Sequence, residues 1–364
     1  MKPSSTSRIL ESLPRGAEIL IIRLRSLGDV VMLTPALAAL NAWRPDLRLC
    51  VLIEPPYAAV LEGNPAVAEI LLHRRFLATA RELRRRRFPV TFNQHGGPTS
   101  AFLTVAAGSP SRICWSHCRF GFFYNLRVPD VGAMDARRHF HTVEHRLSQF
   151  YWAGLPPGSI PPAQVFPQPD ALASVAHRLA SSGVGADQSL AVLHPGAAYF
   201  TKRWSLENFA SAARWLHERH GLVPVVVLGP GDRALVPAVL HLFGPPAVVF
   251  DSLTLRELIA LISLARFVLA NDSGPAHLAT AAARPVVVIF GSSDSVTWRP
   301  WQVAHRLVQN DFLCNPCRGD RCYAFPEPRC ILSVTLDQVR DACDALLSET
   351  QKLASVVPAP NAAN

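Results

Sequence analysis

The sequence predicts an α/β protein with two doubly wound parallel sheets, and three observations support this class. Short apolar runs typical of buried strands alternate with helical patterns along the chain. A proline-dominated stretch at 154–169 interrupts the alternation and is typical of an interdomain linker. The length of 364 residues is sufficient for two domains. We expect these domains at 1–165 and 166–350, with a disordered tail at 351–364.

The first domain contains four predicted strands, each a short apolar run. Pro35 lies early in the first predicted helix, Pro55 opens a short second helix, and Gly96 and Gly97 follow the last strand as turn residues. The predicted order is strand 18–24, helix 30–43, strand 47–53, short helix 55–62, strand 68–72, helix 76–88 and strand 90–93, with a later helix at 139–152.

The second domain repeats this alternation after the linker. Its predicted strands are again apolar and rich in β-branched residues, and Arg284-Pro285 ends the helix before the last of them. The predicted order is helix 171–181, strand 189–193, helix 206–220, strand 223–228, strand 248–249, helix 255–264, strand 267–270, helix 276–283, strand 286–290 and a closing helix at 336–347.

The stretch 267–294 carries the strongest signal for a ligand. Asp272, Ser273 and Gly274 form a turn between a strand and a helix, and Pro275 occupies the position that helices favour for their first residue. A helix that starts at the carboxyl edge of a parallel sheet directs unpaired N–H groups and its positive dipole end outward. We therefore expect a phosphate site here; the alternative is an ordinary strand–helix–strand unit with a polar turn.

The only lysine predicted within the folded body is Lys202, since the other two lie at positions 2 and 352 in expected tails. Either chance retained it, or its position needs a compact point charge. His194 and Gly196 follow a predicted strand shortly before it, and small residues there let backbone N–H groups approach a phosphate. Gly229 and Asp232 follow another strand and fit either contact with a ribose or a plain turn.

Asp29 ends the loop Arg25-Ser26-Leu27-Gly28-Asp29, which follows the first predicted strand. The loop lacks the G-x-G-x-x-G dinucleotide fingerprint, so hydride transfer loses support. Asp29 is either a helix cap or a general base that faces the cleft and takes a proton from an attacking hydroxyl. The chain contains no D-x-D pair that would suggest a metal-bridged diphosphate. Cationic side chains and helix dipoles would then stabilise a leaving group.

The charge and composition limit the partners and the compartment. The net charge of +9 and the pI of about 9.5 favour a polyanion: an anionic membrane, a phosphorylated glycan or a nucleic acid. Nucleic acid is disfavoured because the arginines are dispersed and no aromatic–basic platform is present. The N-terminus lacks the apolar core of a signal peptide, since Glu11, Pro14 and Arg15 interrupt it. We expect a cytoplasmic protein that associates peripherally with the inner membrane.

Four of the eight cysteines, Cys314, Cys317, Cys322 and Cys330, lie in one predicted loop. In a cytoplasmic protein such a group suggests a closed structural zinc site. The alternatives are free thiols or a redox-labile pair, because the spacing matches no standard zinc finger. The remaining cysteines at positions 50, 114, 118 and 343 are interpreted as core or surface thiols.

A cluster of arginines lies on the predicted helix 76–88 and includes Arg84 and Arg85. One interpretation is a solvated basic face. The other is a surface that docks on an anionic leaflet or on acceptor phosphates, at about 1 kcal/mol per basic residue near the membrane. Arg25 in the first loop is a further candidate for contact with the acceptor.

Four motifs in this order resemble glycosyltransferase family 9, the lipopolysaccharide heptosyltransferases. They are Arg23-x-Arg25-Ser26-x-Gly28-Asp29, His194-Pro195-Gly196 with Lys202-Arg203-Trp204, Asn271-Asp272-Ser273-Gly274-Pro275-x-His277, and Phe290-Gly291-x-x-Asp294 with Trp298. The resemblance covers most of the chain, from about residue 19 to residue 343. It implies the GT-B fold, in which two Rossmann-like domains face a central cleft, and an inverting transferase that requires no metal for catalysis.

The resemblance also implies roles for individual residues. Asp29 would be the base, Lys202 would bind the donor diphosphate, and Asp272 would contact the donor sugar with Ser273 and Gly274 near the phosphates. Two departures bear on the donor. Ser205 stands where the family often has proline, and the stretch 196–198 lacks the hydroxyls that some members place beside the phosphate.

The sequence therefore predicts an enzyme that transfers a sugar, expected to be heptose from ADP-heptose, to a lipopolysaccharide core or related glycolipid acceptor. One alternative is a transferase that uses another nucleotide-sugar. The other, from a different class, is a non-catalytic nucleotide- or glycan-binding protein on the same scaffold. An intact Asp29 argues against the non-catalytic alternative.

Overall fold

Two parallel six-stranded sheets organise the chain, one in each half. The computed structural model describes residues 8–131 and 139–356, with the backbone alone for 354–356. The chain divides into two compact units, Met1–Phe166 and Pro167–Asn364, which we call unit 1 and unit 2. The assignment of unit 1 to the acceptor and unit 2 to the donor remains a prediction.

The sheet of unit 1 has the strand order β3-β2-β1-β4-β5-β6, and all its pairings are parallel. The order reverses between β1 and β4, which makes the carboxyl ends of these two strands the topological switch point where ligands of such sheets bind. The strands are β1 (Glu18–Ile22), β2 (Arg48–Ile53), β3 (Glu69–Leu72), β4 (Val90–Asn93), β5 (Ser111–Trp115) and β6 (Leu126–Val128).

The described helices of unit 1 cover both faces of this sheet, as the alternation predicted. They are α1 (Ile9–Ser12), α2 (Leu27–Val31), α3 (Thr34–Trp43), α4 (Phe76–Arg86), α5 (Pro98–Ala107) and α6 (Thr142–Trp152).

The structure corrects two parts of the prediction for unit 1. The single helix predicted at 30–43 is two helices, because Pro35 lies in the first turn of α3 and a new helix starts there. Helix α2 begins earlier than predicted, so Asp29 lies in its first turn. The sequence analysis also missed α1, α5, β5 and β6. Strand β6 has only three residues, which is too short for a periodic signal.

Unit 2 repeats the topology of unit 1. Its order is β12-β11-β10-β7-β8-β9, again entirely parallel, and the switch point lies between β7 and β10. The strands are β7 (Leu190–His194), β8 (Val223–Val227), β9 (Val248–Phe250), β10 (Phe267–Asn271), β11 (Val286–Ile289) and β12 (His305–Val308). The helices are α7 (Pro169–Ser181), α8 (Leu206–His220), α9 (Val236–Leu242), α10 (Leu255–Leu264), α11 (Gly274–Ala281), α12 (Ser295–Trp298), α13 (Arg329–Leu332) and α14 (Leu336–Val356).

The predictions of α8 and α10 are confirmed at both ends. Ser205 and Thr254 cap their N-termini with side-chain hydrogen bonds to the backbone three residues on, which is the signal that marks a helix start in sequence. By contrast, α14 continues to Val356 instead of ending at 347. The first part of the predicted disordered tail, 351–356, is therefore helical, and 357–364 lie outside the described residues.

The cysteine interpretation also needs one correction. Cys114 and Cys118, expected to be thiols, form a disulfide. Cys114 lies near the end of β5, and the chain then turns, with the Cys118 N–H donating to the Trp115 carbonyl at 3.0 Å, which brings the two side chains together. The other six cysteines form no disulfide, as expected for Cys50 and Cys343, and the zinc site proposed for the remaining four stays a prediction.

No helix within residues 8–131 and 139–356 is both long enough and apolar enough to cross a bilayer.

Candidate active site

Asp29 lies at the switch point of unit 1, just beyond the carboxyl end of β1. Its carboxylate accepts hydrogen bonds from two arginines on different elements: the Arg23 Nη2–Oδ2 distance is 2.5 Å and the Arg146 Nη2–Oδ1 distance is 2.6 Å. The Ser26 hydroxyl donates to Oδ2 at 2.9 Å. Each carboxylate oxygen is therefore held by a guanidinium group, which is much more than a helix cap requires.

The same two arginines, which we call the arginine pair, also share a second acceptor. Nη1 of Arg23 and Nη1 of Arg146 both donate to the backbone carbonyl of Gln94, at 2.6 and 3.1 Å. Gln94 follows β4 directly, so the carboxyl ends of β1 and β4 meet around these guanidinium groups. Both arginine side chains are buried, with 7% and 9% of their surface exposed.

This arrangement determines the protonation state of Asp29. Burial by itself would raise the pKa of this carboxyl group, but the charges of Arg23 and Arg146, together with the hydrogen bonds from Ser26, outweigh burial and lower it. Burial and the neighbouring Arg146 lower the pKa of Arg23 to about 9, which still leaves it charged at neutral pH. Asp29 is thus a fixed, ionised carboxylate with two buried cations as neighbours.

A buried polar network behind the arginine pair holds α6 against β4. The Gln94 side chain donates to the Arg146 carbonyl at 3.1 Å and to the Gln149 side chain at 3.2 Å. Gln149 in turn donates to the Asn93 carbonyl at 3.0 Å. Because buried amides are costly to leave unpaired, this network fixes where Arg146 can lie.

His95 is a neutral group beside this site. Burial, followed by the positive charge of Arg23, lowers the pKa of its imidazole to about 4. Its buried Nδ1 has no hydrogen-bond partner within the described part of the chain. His95 therefore adds no charge next to Asp29 at neutral pH.

Sequence reasoning identified Asp29 but missed Arg146, which is separated from it by 117 positions. A signal was available: Arg146 lies three residues after Val143 and four before Phe150, both of which are fully buried. A charge on the apolar face of a helix indicates a buried partner.

The predicted residues of unit 2 also converge at a switch point. His194 ends β7, and its Nδ1 lies 3.0 Å from the Ser273 hydroxyl after β10. Its Nε2 lies 3.3 Å from the Asp232 carboxylate after β8. Asp232 also accepts the Gly229 N–H at 3.0 Å. His194 therefore connects the three strand-end loops that the sequence analysis selected.

Gly196 is required by this packing. A Cβ at this position would lie 2.3 Å from the Asp232 carboxylate, closer than any non-bonded contact allows. Burial by itself would raise the pKa of Asp232, but the hydrogen bonds from His194 and the Gly229 N–H outweigh it and lower the pKa. Asp232 is thus ionised and enclosed, a position better suited to holding the loops than to direct contact with a ligand.

Lys202 is already paired in this structure. Its Nζ lies 2.8 Å from Oδ2 of Asp272, which is almost completely buried, whereas about a fifth of the Lys202 side chain is exposed. The loop that carries Lys202 passes very close to Gly291, where a Cβ would lie 2.3 Å from the Thr201 carbonyl oxygen. Gly291 of the Phe290-Gly291 motif is thus needed to place Lys202 beside Asp272.

Ser273 and Gly274 form the start of α11, which has no side-chain cap. The Ser273 hydroxyl instead donates to the Asn271 carbonyl at 3.0 Å and contacts His194. The first N–H groups of α11 are therefore not satisfied by a capping side chain, which suits an anion. The structure brings Lys202, Asp272, Ser273 and His194 together at this edge, as the motif order predicted.

The tentative acceptor and membrane residues lie on the surface of unit 1. Arg25 is exposed, in contrast to its buried neighbour Arg23, and Arg84 and Arg85 are exposed near the end of α4. Arg86 on the same helix is instead paired inward with Glu18 and Glu69.

The four clustered cysteines lie around one small cavity of about 30 Å³. Burial raises the pKa of the Cys330 thiol, and the nearby sulfurs of Cys314, Cys317 and Cys322 raise it further. No three of these sulfurs lie within 4.8 Å of one another. A tetrahedral metal would have to draw them closer, since Zn–S bonds are about 2.3 Å long.

The described residues contain one tighter group of ligand atoms, formed by Glu18, Cys50 and Glu69. Arg86 occupies it: its Nη2 lies 3.0 Å from Glu18, 2.5 Å from Glu69 and 3.8 Å from the Cys50 sulfur. Burial raises the pKa of Cys50 to about 11, so its thiol stays protonated. The cation of this group is an arginine of the chain itself.

Comparison with known proteins agrees with the resemblance seen in the sequence. The profile of glycosyltransferase family 9 (heptosyltransferase) matches residues 76–326. Lipopolysaccharide heptosyltransferase 3 of Escherichia coli is 26% identical over 313 residues, which cover 81% of this chain and 89% of that protein.

Solved structures confirm the predicted GT-B fold. The ADP-heptose lipopolysaccharide heptosyltransferase II of E. coli matches with a TM-score of 0.77 and 20% identity, over 92% of this chain and 99% of that one. The iron-containing dodecameric glycosyltransferase TibC from enterotoxigenic E. coli H10407 matches with a TM-score of 0.59 and 14% identity, over 93% of this chain and 81% of that one.

Proposed function

The chain belongs to glycosyltransferase family 9, and we propose that it transfers heptose from ADP-heptose to a lipopolysaccharide core acceptor, with inversion and without a catalytic metal. The observation that carries this proposal is the ionised carboxylate of Asp29 between two buried arginines, at the switch point where ligands of such sheets bind. A protein that only bound nucleotide or glycan would not need to maintain an ionised carboxylate held by two buried arginines there.

Asp29 would act as the general base. As the acceptor hydroxyl oxygen bonds to the anomeric carbon, the bond from that carbon to the diphosphate breaks, and the hydroxyl proton passes to Asp29. Because the arginine pair lowers the pKa of Asp29, the carboxylate is ionised at neutral pH but is a weak base. It would therefore accept the proton only as the new bond forms, when the hydroxyl has become acidic.

The leaving diphosphate would be stabilised by Lys202 and the start of α11. The chain offers an ammonium group and uncapped helix N–H groups at this edge, which together replace the charge that a metal ion would supply. In this arrangement the diphosphate shares Lys202 with Asp272. The remaining capacity of the Asp272 carboxylate is available for the hydroxyls of the donor sugar.

The choice of ADP-heptose is supported by the relatives, which are named as heptosyltransferases. Another nucleotide-sugar is the alternative, because Ala197 and Ala198 offer no hydroxyl to a donor phosphate. We further propose that the acceptor is reached at the cytoplasmic face of the inner membrane, since a core glycolipid resides in a bilayer and unit 1 exposes Arg84 and Arg85.

The four clustered cysteines would hold a structural metal that takes no part in transfer. Their chemistry fits zinc or iron, since both bind four thiolates, and the cavity they line is small enough to close around one ion. The metal would link the loop 314–330 to Ser292 and Thr201, which also line this cavity. It would thereby hold the loop that positions Lys202.

The first test concerns Lys202. We expect Lys202→Ala to weaken binding of ADP-heptose by roughly tenfold to a hundredfold in titration calorimetry, because a charge-assisted contact is lost. Lys352→Ala, which removes an exposed lysine of α14, should bind as the wild type does.

A brief treatment with EDTA should leave turnover unchanged; loss of turnover that magnesium restores would overturn the metal-free mechanism.

The second test concerns Asp29. Asp29→Asn should bind donor nearly normally and lower the turnover at least about a hundredfold, because it cannot accept the proton. It also leaves two buried arginines without a counter-charge, at a cost of about 3–5 kcal/mol in folding stability. The assay must therefore be run at low temperature, with folding confirmed by circular dichroism.

Two further variants control this experiment. Asp29→Glu keeps the charge that the arginine pair needs but displaces the carboxylate, so it should fold well and still turn over slowly. Asp46→Asn neutralises the half-buried partner of Arg44, outside the candidate site, and should leave the rate unchanged. Turnover near the wild-type level in folded Asp29→Asn would show that the base is another group.

The third test concerns the cysteine cluster. We expect the purified protein to carry about one equivalent of zinc or iron by elemental analysis, and Cys317→Ser with Cys322→Ser to lose it. The buried Cys343 lies outside the cluster, so Cys343→Ser should retain the metal. A metal-free preparation that keeps its thermal stability and its affinity for donor would show that the cluster holds no structural metal.

A further inference from the structure

Four phenylalanine rings form a cluster on the surface of unit 1. Phe102 lies on α5, and Phe120, Phe122 and Phe123 follow β5. The ring centroids of Phe102 and Phe123 are 5.2 Å apart and those of Phe122 and Phe123 are 4.3 Å apart, with Phe120 about 6 Å from the others. Phe122 is 78% exposed and Phe102 is 47% exposed. Contiguous exposed aromatic surface of this kind marks an interaction site.

The backbone holds these rings outward at some cost. Phe120 has a φ of +59°, in the left-handed region that residues with a bulky side chain rarely adopt. The Phe123 N–H donates to the Phe120 carbonyl at 2.9 Å, and Arg112 donates to the Phe123 carbonyl at 2.8 Å. The Cys114–Cys118 disulfide fixes the start of the segment. A merely loose loop would have no need of these restraints.

The segment that carries the rings is basic, and the next carboxylate along the chain, Asp130, is paired with His117. Residues 98–128 contain three arginines and no aspartate or glutamate. Arg119 is exposed directly beside Phe120, and Arg127 approaches Gly121 within the turn. From the adjacent α4, Arg84 lies over Gly108 at the end of α5, where a Cβ would meet its guanidinium group.

We propose that the four rings and the arginines around them form a docking surface for an anionic phospholipid bilayer. Aromatic rings favour the boundary between hydrocarbon and headgroups, and arginines around them bind lipid phosphates. Residues 98–128 carry arginines without carboxylates, which favours a continuous anionic surface over a protein partner, whose surface carries charges of both signs. The purpose of such docking rests on the proposed function, because the proposed acceptor is a glycolipid that resides in a bilayer.

The docking surface is linked to the candidate base. Asn93 donates to the hydroxyl of Tyr124, the residue after Phe123, at 2.8 Å. Gln94 follows Asn93 directly, and its backbone carbonyl accepts hydrogen bonds from both arginines of the arginine pair. A bilayer bound at the rings would therefore lie beside the element that carries the catalytic edge of unit 1, where a lipid-anchored acceptor is needed.

The test measures sedimentation of the full chain with protein-free vesicles of phosphatidylethanolamine and phosphatidylglycerol, compared with pure phosphatidylcholine. We expect binding to the anionic vesicles that weakens at high salt. Phe122→Ser should weaken it about tenfold, as loss of one inserted ring predicts, and Arg119→Gln about fivefold. Leu240→Ser and Arg219→Gln, which change an exposed apolar residue and an exposed arginine of unit 2, should bind as the wild type does.

Equal binding by Phe122→Ser and the wild type, or no binding by either, would overturn the proposal. A dimer that Phe122→Ser converts to monomer in light scattering would assign the surface to a second copy instead. The vesicles contain no acceptor, so this result does not depend on the proposed transfer. Phe122→Ser should also keep full turnover on acceptor dispersed in detergent, which separates docking from catalysis.

Discussion

Two guanidinium groups share one carboxylate inside unit 1, and the placement of the candidate base depends on this charge balance. Arg23 comes from the end of β1 and Arg146 from α6, and both reach Asp29 and the Gln94 carbonyl. Removing the carboxylate would leave two buried cations, and removing either arginine would free the carboxylate to bind a proton. The trio is therefore stable as a set and is destabilised by the loss of any member.

The switch point of unit 2 has the same strand topology as that of unit 1 but carries different charged groups. It carries Lys202 paired with Asp272 and an uncapped helix start, which suit an anion that arrives and leaves. The pair in unit 2 is partly exposed on the lysine side, whereas the arginine pair is enclosed. Exposure would let the proposed diphosphate compete for Lys202, whereas the charges of the arginine pair keep Asp29 ionised before it accepts a proton.

Much of this fold follows from local patterns, and the site does so only in part. The helices at 206–220 and 255–264 were predictable because capping residues precede clear apolar periodicity. The turn after β10 was predictable because Asp272, Ser273 and Pro275 are residue types typical of a strand–helix junction. By contrast, the partners of Asp29 depend on which strands become neighbours, and Arg146 is joined to it only by the tertiary fold. The Cys114–Cys118 disulfide was not predicted, because we expected a cytoplasmic protein and cysteines in that compartment are usually thiols.

The arginine pair is proposed to keep Asp29 ionised as the base, and the pH dependence of kcat/KM in Arg146→Gln tests this most directly. In the wild type the charges of Arg23 and Arg146 lower the pKa of Asp29, so the acid limb lies below the range of an ordinary aspartate. Loss of one arginine should raise that pKa and move the acid limb to higher pH, whereas Arg146→Lys should leave it in place. Identical profiles for Arg146→Gln and the wild type would contradict the account.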